Sequence, residues 1–158
     1  MLLPFFEWCE GTMIGAGIRD SVWLFPVIES LHLLAFAMIG GVVLLVDFRL
    51  FGLGLTREPV AEVGRAVQPW LLASLSVMVV TGVLLFLSEA VKCYSSNPFW
   101  VKIAALFLAI LFTFTVRRKV VTADEARVGP FWSKLVALIS LVLWGTVAWA
   151  GRWIGFSA

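Results

Sequence analysis

Two apolar runs without charged residues decide what this chain can fold into. Residues 66–88 and 135–151 contain no Asp, Glu, Lys or Arg, and a helix needs about 20 mostly apolar residues to cross a bilayer. The whole chain is 61% hydrophobic and 14% charged, whereas soluble domains are about 45–50% apolar and about 25% charged. The sequence therefore predicts an integral membrane protein in contact with the lipid bilayer. Its few cations argue against a nucleic-acid partner.

Proline and tryptophan mark the starts of three of the four long apolar segments. Pro69, Pro98 and Pro130 each stand one or two residues before a tryptophan. Proline suits the first position of a helix, because the N–H that it lacks has no intrahelical partner there. Tryptophan is enriched where a membrane meets water. These signals predict that a transmembrane helix begins at each of the three prolines.

The predicted fold is an all-α bundle of four transmembrane helices in a single integral membrane domain, residues 1–158. The spans are predicted at residues 21–46, 69–87, 98–116 and 130–150. The apolar runs are continuous, whereas barrel strands alternate apolar and polar residues. An alternative has two spans and two interfacial helices, because Glu29, His32 and Lys102 lower the hydropathy of the first and third spans.

Cations are distributed unevenly between the connections. One side of the predicted bundle carries Arg49, Arg57, Arg65, Arg117, Arg118, Lys119, Arg127 and Lys134. The other side carries Arg19, Lys92 and Arg152. Because Lys and Arg are enriched in cytoplasmic loops, both termini are predicted to lie outside the cytoplasm, in the periplasm if the host membrane is a bacterial inner membrane.

The N-terminal residues 2–18 are predicted to form a short amphipathic segment at the outer surface, with Phe5, Phe6, Trp8 and Met13 as its apolar contacts. A frayed tail is the alternative. Cys9 and Cys93 both fall on the outer side. An oxidising periplasm permits a disulfide between them, and two free thiols are the alternative.

Three ionisable residues lie inside the predicted spans, where such residues are costly and mark candidate functional sites. Glu29 and His32 are three residues apart, so they share one helix face. Lys102 lies in the first turns of the third span. A Glu29–Lys102 ion pair is predicted, which makes Glu29, His32 and Lys102 an interior polar site. The alternative for Lys102 is to extend its ammonium to the outer headgroups.

His32 is the only histidine in the chain. Imidazole is a common haem ligand, so a b-type haem is a candidate cofactor, held by His32 and Met78, by His32 from two protomers, or at a five-coordinate site. The alternative is an interior histidine with hydrogen-bond partners. No hydrolase or nucleotide-binding motif is present, so no catalytic residue and no metal site are predicted.

Small or polar side chains recur at helical spacing in the other spans and are predicted to face the bundle interior. They are Ser74, Met78, Thr81 and Ser88 in the second span, Lys102, Ala109 and Thr113 in the third, and Ser133, Ala137, Ser140 and Trp144 in the fourth. Ala37 and Gly41 form a small-xxx-small pair that suits either dimer contacts or packing within the chain.

Several runs resemble an uncharacterised family of small bacterial four-span inner-membrane proteins: residues 23–34, Gly40-Gly41, residues 47–52, Thr81-Gly82, Leu85-Phe86 and residues 97–102. More remotely, His32 with Lys102 resembles the copper-resistance protein D group and the four-helix bacterial protoporphyrinogen oxidase. That remote resemblance implies haem ligation by His32, although the third span lacks a second histidine.

These observations predict a multi-pass protein of the bacterial inner membrane. Its first expected function is accessory, binding a ligand or a partner through Glu29, His32 and Lys102. A redox protein with a b-type haem on His32 is the second expectation. Proton or small-solute conduction is the third. A homo-oligomer or a larger membrane complex fits each of them.

Overall fold

The computed structural model describes residues 2–54, 57–123 and 128–156, and every regular element in those ranges is helical. In chain order the elements are α1 (Leu3–Glu10), α2 (Met13–Asp20), α3 (Leu24–Phe51), α4 (Val60–Ser88), α5 (Ala90–Ser95), α6 (Asn97–Thr122) and α7 (Pro130–Ile154). The helices α3, α4, α6 and α7 are long and apolar enough to cross a membrane. The predicted all-α fold with four candidate membrane-spanning helices is confirmed.

Helix α3 is central to the bundle. It packs against both α4 and α7, and α7 packs in turn against α6. The last turns of α6, Arg118–Thr122, contact α4. Ile39 and Val43 of α3 are 0% and 1% exposed, and they belong to an apolar cluster with residues of α4, α6 and α7. Close packing of these apolar side chains stabilises the contacts among the four helices.

Two of the three prolines begin helices as predicted, and one does not. Pro98 and Pro130 lie in the first turns of α6 and α7. Pro69 lies inside α4, which begins at Val60, so its prediction as a helix start is wrong. The physical reason is that Val60 and Val63 are buried in an apolar cluster, and their packing stabilises the helix ahead of the proline.

The N-terminal segment forms two short helices that pack on one end of the bundle. The Phe6 ring is buried, with its centroid 5.4, 5.1 and 5.9 Å from the rings of Phe86, Tyr94 and Trp100. An ion pair of 3.1 Å joins Arg19 to Glu10. The segment is therefore packed rather than frayed. Its predicted apolar contacts Phe5, Trp8 and Met13 are exposed.

Most of the small or polar side chains that were predicted to face the bundle interior are buried in the structure. The side chains of Ser74, Met78, Thr81, Ser88, Ala109, Thr113, Ala137, Ser140 and Trp144 are buried. Lys102 and Ser133 are partly buried. Ala37 and Gly41 are exposed, and a Cβ on Gly41 would meet no atom within 4 Å. The small-xxx-small pair therefore does not serve packing within the chain.

Candidate functional site

His32 lies at the interface between α3 and α4. Its side chain is 9% exposed, and its Nδ1 is 3.0 Å from Thr81 Oγ1 on α4. The ring also packs closely against Gly82, where an added Cβ would lie 3.2 Å from Cε1. The glycine therefore makes room for the imidazole, and the threonine fixes its orientation.

The hydrogen bonds of Thr81 determine which nitrogen of His32 carries a proton. The Thr81 hydroxyl donates its one hydrogen to a backbone carbonyl of its own helix, at 2.7 Å from Val77 O. A hydroxyl has a single hydrogen, so its oxygen accepts the bond from His32. We therefore assign the proton to Nδ1, which leaves Nε2 of the neutral ring as an acceptor.

Lys102 extends from the first turns of α6 toward α7. A Cβ on Gly151 would lie 3.4 Å from Lys102 Nζ, so the lysine lies directly against this glycine. Its charge also interacts with His32 of α3 and Cys93 of α5. Within the residues that the structure describes, no carboxylate lies at ion-pair distance from Lys102. The structure thus brings His32 and Lys102 to the same end of the bundle.

Glu29 does not join this cluster. Its side chain is exposed, and no ion pair links it to Lys102 in the described part of the chain, so the prediction of a buried Glu29 is wrong. The physical reason is the path of the buried face of α3, which runs through Ile28, His32 and Ala35. Glu29 follows Ile28 by one residue, which turns it about 100° away from that face.

The arrangement does not fit a haem held between His32 and Met78. A haem held by two side chains would lie between them, so it requires an open space between His32 and Met78 that is wide enough for the flat macrocycle. Here the His32 ring is hydrogen-bonded to Thr81 and contacts Gly82. Met78 is on the same helix as both and is 2% exposed, within the apolar cluster.

The two cysteines lie on helices that pack together. Cys9 of α1 and Cys93 of α5 are both buried, and both are free thiols in the structure. Burial and the neighbouring Glu89 carboxylate raise the pKa of the Cys93 thiol to about 11. The disulfide expected from the periplasmic location stays a prediction. In the described residues, no group of three His, Cys, Asp or Glu side chains is arranged to hold a metal ion.

A second polar cluster, which the sequence did not reveal, lies toward the other end of the bundle. Arg117 of α6 donates from Nε to Asp47 Oδ1 of α3 at 2.9 Å and from Nη2 to Val43 O at 3.2 Å. Both side chains are nearly inaccessible, at 6% and 0% exposure. Ser140 of α7 lies beside Asp47, although neither Asp47 Oδ2 nor Ser140 Oγ has a partner at good hydrogen-bond geometry in the described residues.

A π-helical turn at Thr113–Arg117 interrupts α6 at this cluster. Such turns accept one extra residue and change which side chains face inward. Thr113 and Arg117 are both buried here, and Trp144 of α7 donates from Nε1 to Thr113 Oγ1 at 3.2 Å. Arg117, which the sequence count assigned to a loop, is therefore inside the bundle. Arg127, another cation of that count, lies outside the described residues.

An apolar layer separates the two polar clusters. Ile39, Val43, Met78, Ala109 and Val147 are at most 2% exposed and lie between them along the helices. Apolar side chains of all four long helices therefore fill much of the described interior between the His32 and Asp47 clusters.

Comparison with known proteins places nearly the whole chain in one family. The model described as "Family of unknown function (DUF6644)" matches residues 5–157. No match is found among the curated proteins or among the solved structures. The comparisons add no support for the remote resemblance to the copper-resistance protein D group or to protoporphyrinogen oxidase.

Proposed function

Since the chain belongs to DUF6644, a family of unknown function, we propose a function from its own residues: it is a non-catalytic membrane protein that binds a small anion beside Lys102 and His32. The observation that carries the proposal is the unpaired charge of Lys102. Its ammonium lies between helices, against Gly151, and no described carboxylate neutralises it. Glu29, the expected partner, is on the outside.

A charge without a partner is costly between membrane helices. A bound anion lowers this cost through a charge-assisted hydrogen bond from Lys102 Nζ. The His32 imidazole uses its Nδ1–H on Thr81 at 3.0 Å and has no second N–H for an anion, so Lys102 Nζ is the donor on which the binding depends. A carboxylate or a phosphate supplies the acceptor oxygens that Lys102 requires.

The proposed location is the bacterial inner membrane, with both termini in the periplasm. The excess of Lys and Arg in the connections α3–α4 and α6–α7 supports this orientation. Arg117 lies in the interior and no longer counts as a loop cation, but the side with the α3–α4 and α6–α7 connections still carries more Lys and Arg than the other side. In this orientation the His32–Lys102 cluster lies toward the periplasmic ends of the helices.

The test measures thermal unfolding of the full chain in a neutral detergent, by tryptophan fluorescence. The probes are sodium acetate and inorganic phosphate, with sodium chloride at equal ionic strength as the reference. A ligand that binds only the folded state stabilises it by about 2.7 kcal/mol at 100 times its Kd. We expect acetate or phosphate to raise the Tm of the wild-type protein above the chloride value.

Lys102→Met removes the charge and keeps a side chain of similar length. We expect it to lose the anion-dependent shift and to raise the Tm without added anion, because the unpaired charge is gone. Lys92→Met is the matched control, since Lys92 is at the same end and pairs with Glu89 at 3.8 Å. The proposal is overturned if neither anion raises the wild-type Tm, or if Lys102→Met retains the shift.

A further inference from the structure

A small cavity lies at the opposite end of the bundle from His32, between α3, α4 and α6. Its volume is about 60 Å³, and it is partly open to the surface. A water molecule occupies about 30 Å³ in the liquid, so the cavity accommodates a small group rather than a whole lipid. The close approach of Gly64 to Val121 limits it on one side, because an added Cβ on Gly64 would overlap the valine.

Three arginines lie around this cavity. Arg65 of α4 and Arg118 of α6 are exposed members of its lining, and Arg117 is a buried one. Arg117 is already bonded to Asp47 and Val43. Within the described ranges, neither Arg65 nor Arg118 has a carboxylate partner. The cavity therefore carries positive charge at its surface that no side chain in the described part of the protein neutralises.

The remaining lining is largely apolar. Val42 and Val46 of α3, Leu71 of α4 and Phe114 of α6 line the cavity together with the arginines. The helices α4 and α6 lie on either side of it and contact each other at Arg118–Thr122. Cations at the end of a transmembrane bundle, next to apolar walls between helices, match the two chemical halves of an anionic phospholipid.

We propose that an anionic phospholipid binds at the mouth of this cavity, with its phosphate near the exposed Arg65 and Arg118 and only the start of an acyl chain inside, against Val42, Leu71 and Phe114. Basic pockets between transmembrane helices on the cytoplasmic side bind acidic lipid headgroups, and the predicted orientation puts this cavity on that side. The inference is independent of the anion proposed at Lys102, because the two sites share no residue and lie at opposite ends.

The test uses the full chain in neutral detergent micelles containing dioleoylphosphatidylglycerol, dioleoylphosphatidylcholine or inorganic phosphate. Binding is measured by native mass spectrometry and by the shift in Tm. The variant is Arg65→Gln with Arg118→Gln, and both side chains are exposed, so folding is preserved. The matched control is Arg57→Gln with Lys119→Gln, which removes the same charge from exposed positions that do not line the cavity.

We expect the wild-type protein to retain phosphatidylglycerol in preference to phosphatidylcholine. The Arg65/Arg118 variant should lose at least tenfold in apparent affinity, and the Arg57/Lys119 control should not. Equal retention of the two lipids overturns the proposal, as does an equal loss in the control. In the Lys102→Met variant, which lacks the anion site proposed above, a Tm shift with inorganic phosphate as large as that with phosphatidylglycerol also overturns it, because the cavity would then bind phosphate rather than a lipid. Lys102→Met should leave lipid retention unchanged.

Discussion

Arg117 donates a hydrogen bond from Nε to Asp47 Oδ1 at 2.9 Å, joining two helices whose residues are 70 positions apart in the chain. Both side chains are buried, so each charge depends on the other. Removing one partner of a buried ion pair typically costs about 3–5 kcal/mol, because the remaining charge is left without compensation. The pair therefore fixes α6 against α3 at the π-helical turn.

Asp47→Ala should lower the free energy of unfolding by about 3–5 kcal/mol. The measurement is reversible unfolding in mixed detergent micelles, followed by tryptophan fluorescence. The double variant Asp47→Leu with Arg117→Leu should be much less destabilised than Asp47→Ala, because no charge remains buried. Glu29→Ala is the control, since Glu29 is exposed, and it should change the stability little. A cost for Asp47→Ala as small as that for Glu29→Ala contradicts this account.

Gly15 and Gly17 of α2 should respond in opposite directions to alanine. A Cβ on Gly15 would overlap the backbone oxygen of Leu87, whereas a Cβ on Gly17 would meet nothing within 4 Å. Gly17→Ala should stabilise by up to about 1 kcal/mol through helix propensity. Gly15→Ala should destabilise by about 1–3 kcal/mol, because α2 must move away from α4. The measurement is the unfolding midpoint of each variant. Equal changes in the midpoint for Gly15→Ala and Gly17→Ala would contradict the packing of α2 against α4.

Alkylation of Cys93 should be slow at neutral pH and should accelerate as the pH rises. Its raised pKa of about 11 keeps the thiol protonated below that pH, and only the thiolate reacts. The rate with iodoacetamide, measured on the Cys93 peptide by mass spectrometry, should therefore rise about tenfold per pH unit through the mildly alkaline range. A rate that levels off well below the pKa contradicts the prediction.

The same experiment examines the predicted disulfide between Cys9 and Cys93. If the bond is absent, denatured protein is alkylated at both cysteines without a reductant. If the bond is present, alkylation requires prior reduction. Both thiols are buried in the folded protein, so alkylation is carried out after denaturation, with and without a reductant.

Reporter fusions should show both termini on the periplasmic side. Alkaline phosphatase is active only after export, and green fluorescent protein fluoresces when it folds in the cytoplasm. We expect phosphatase activity for a fusion after Phe156 and fluorescence for a fusion after Gly54, because the cation excess lies in the α3–α4 and α6–α7 connections. The reverse pattern would refute the predicted orientation.

The candidate site was only partly predictable. A single histidine in an apolar run indicates an interior polar site, and His32 is buried. Thr81 is also among the residues predicted to face the interior, but the sequence does not indicate that it contacts His32. The prediction that Glu29 faces the interior is wrong. A spacing of three residues puts Glu29 and His32 near each other on the helix, but it does not determine which of the two side chains faces the interior.

The Asp47–Arg117 pair had a weak signal in the sequence. Asp47 follows the buried face of α3, which includes Ile39, Val43 and Val46, so its inward direction could have been inferred. Arg117 follows the apolar part of α6 and is indistinguishable in sequence from the neighbouring exposed cations Arg118 and Lys119. The π-helical segment Thr113–Arg117 directs the Arg117 side chain into the bundle. The formation of such a segment depends on the packing of α6 against α3 and α7.

The sequence by itself determined that the chain forms four long apolar helices, because each apolar run is long enough to span a bilayer and a backbone in lipid must satisfy its own hydrogen bonds. Only the tertiary structure decided which polar side chains meet: His32 with Thr81, Asp47 with Arg117, and Lys102 with no carboxylate in the described residues. Helix formation depends on local composition. Side-chain partnership depends on the rotation of each helix about its axis, which is set by packing among residues distant in the chain.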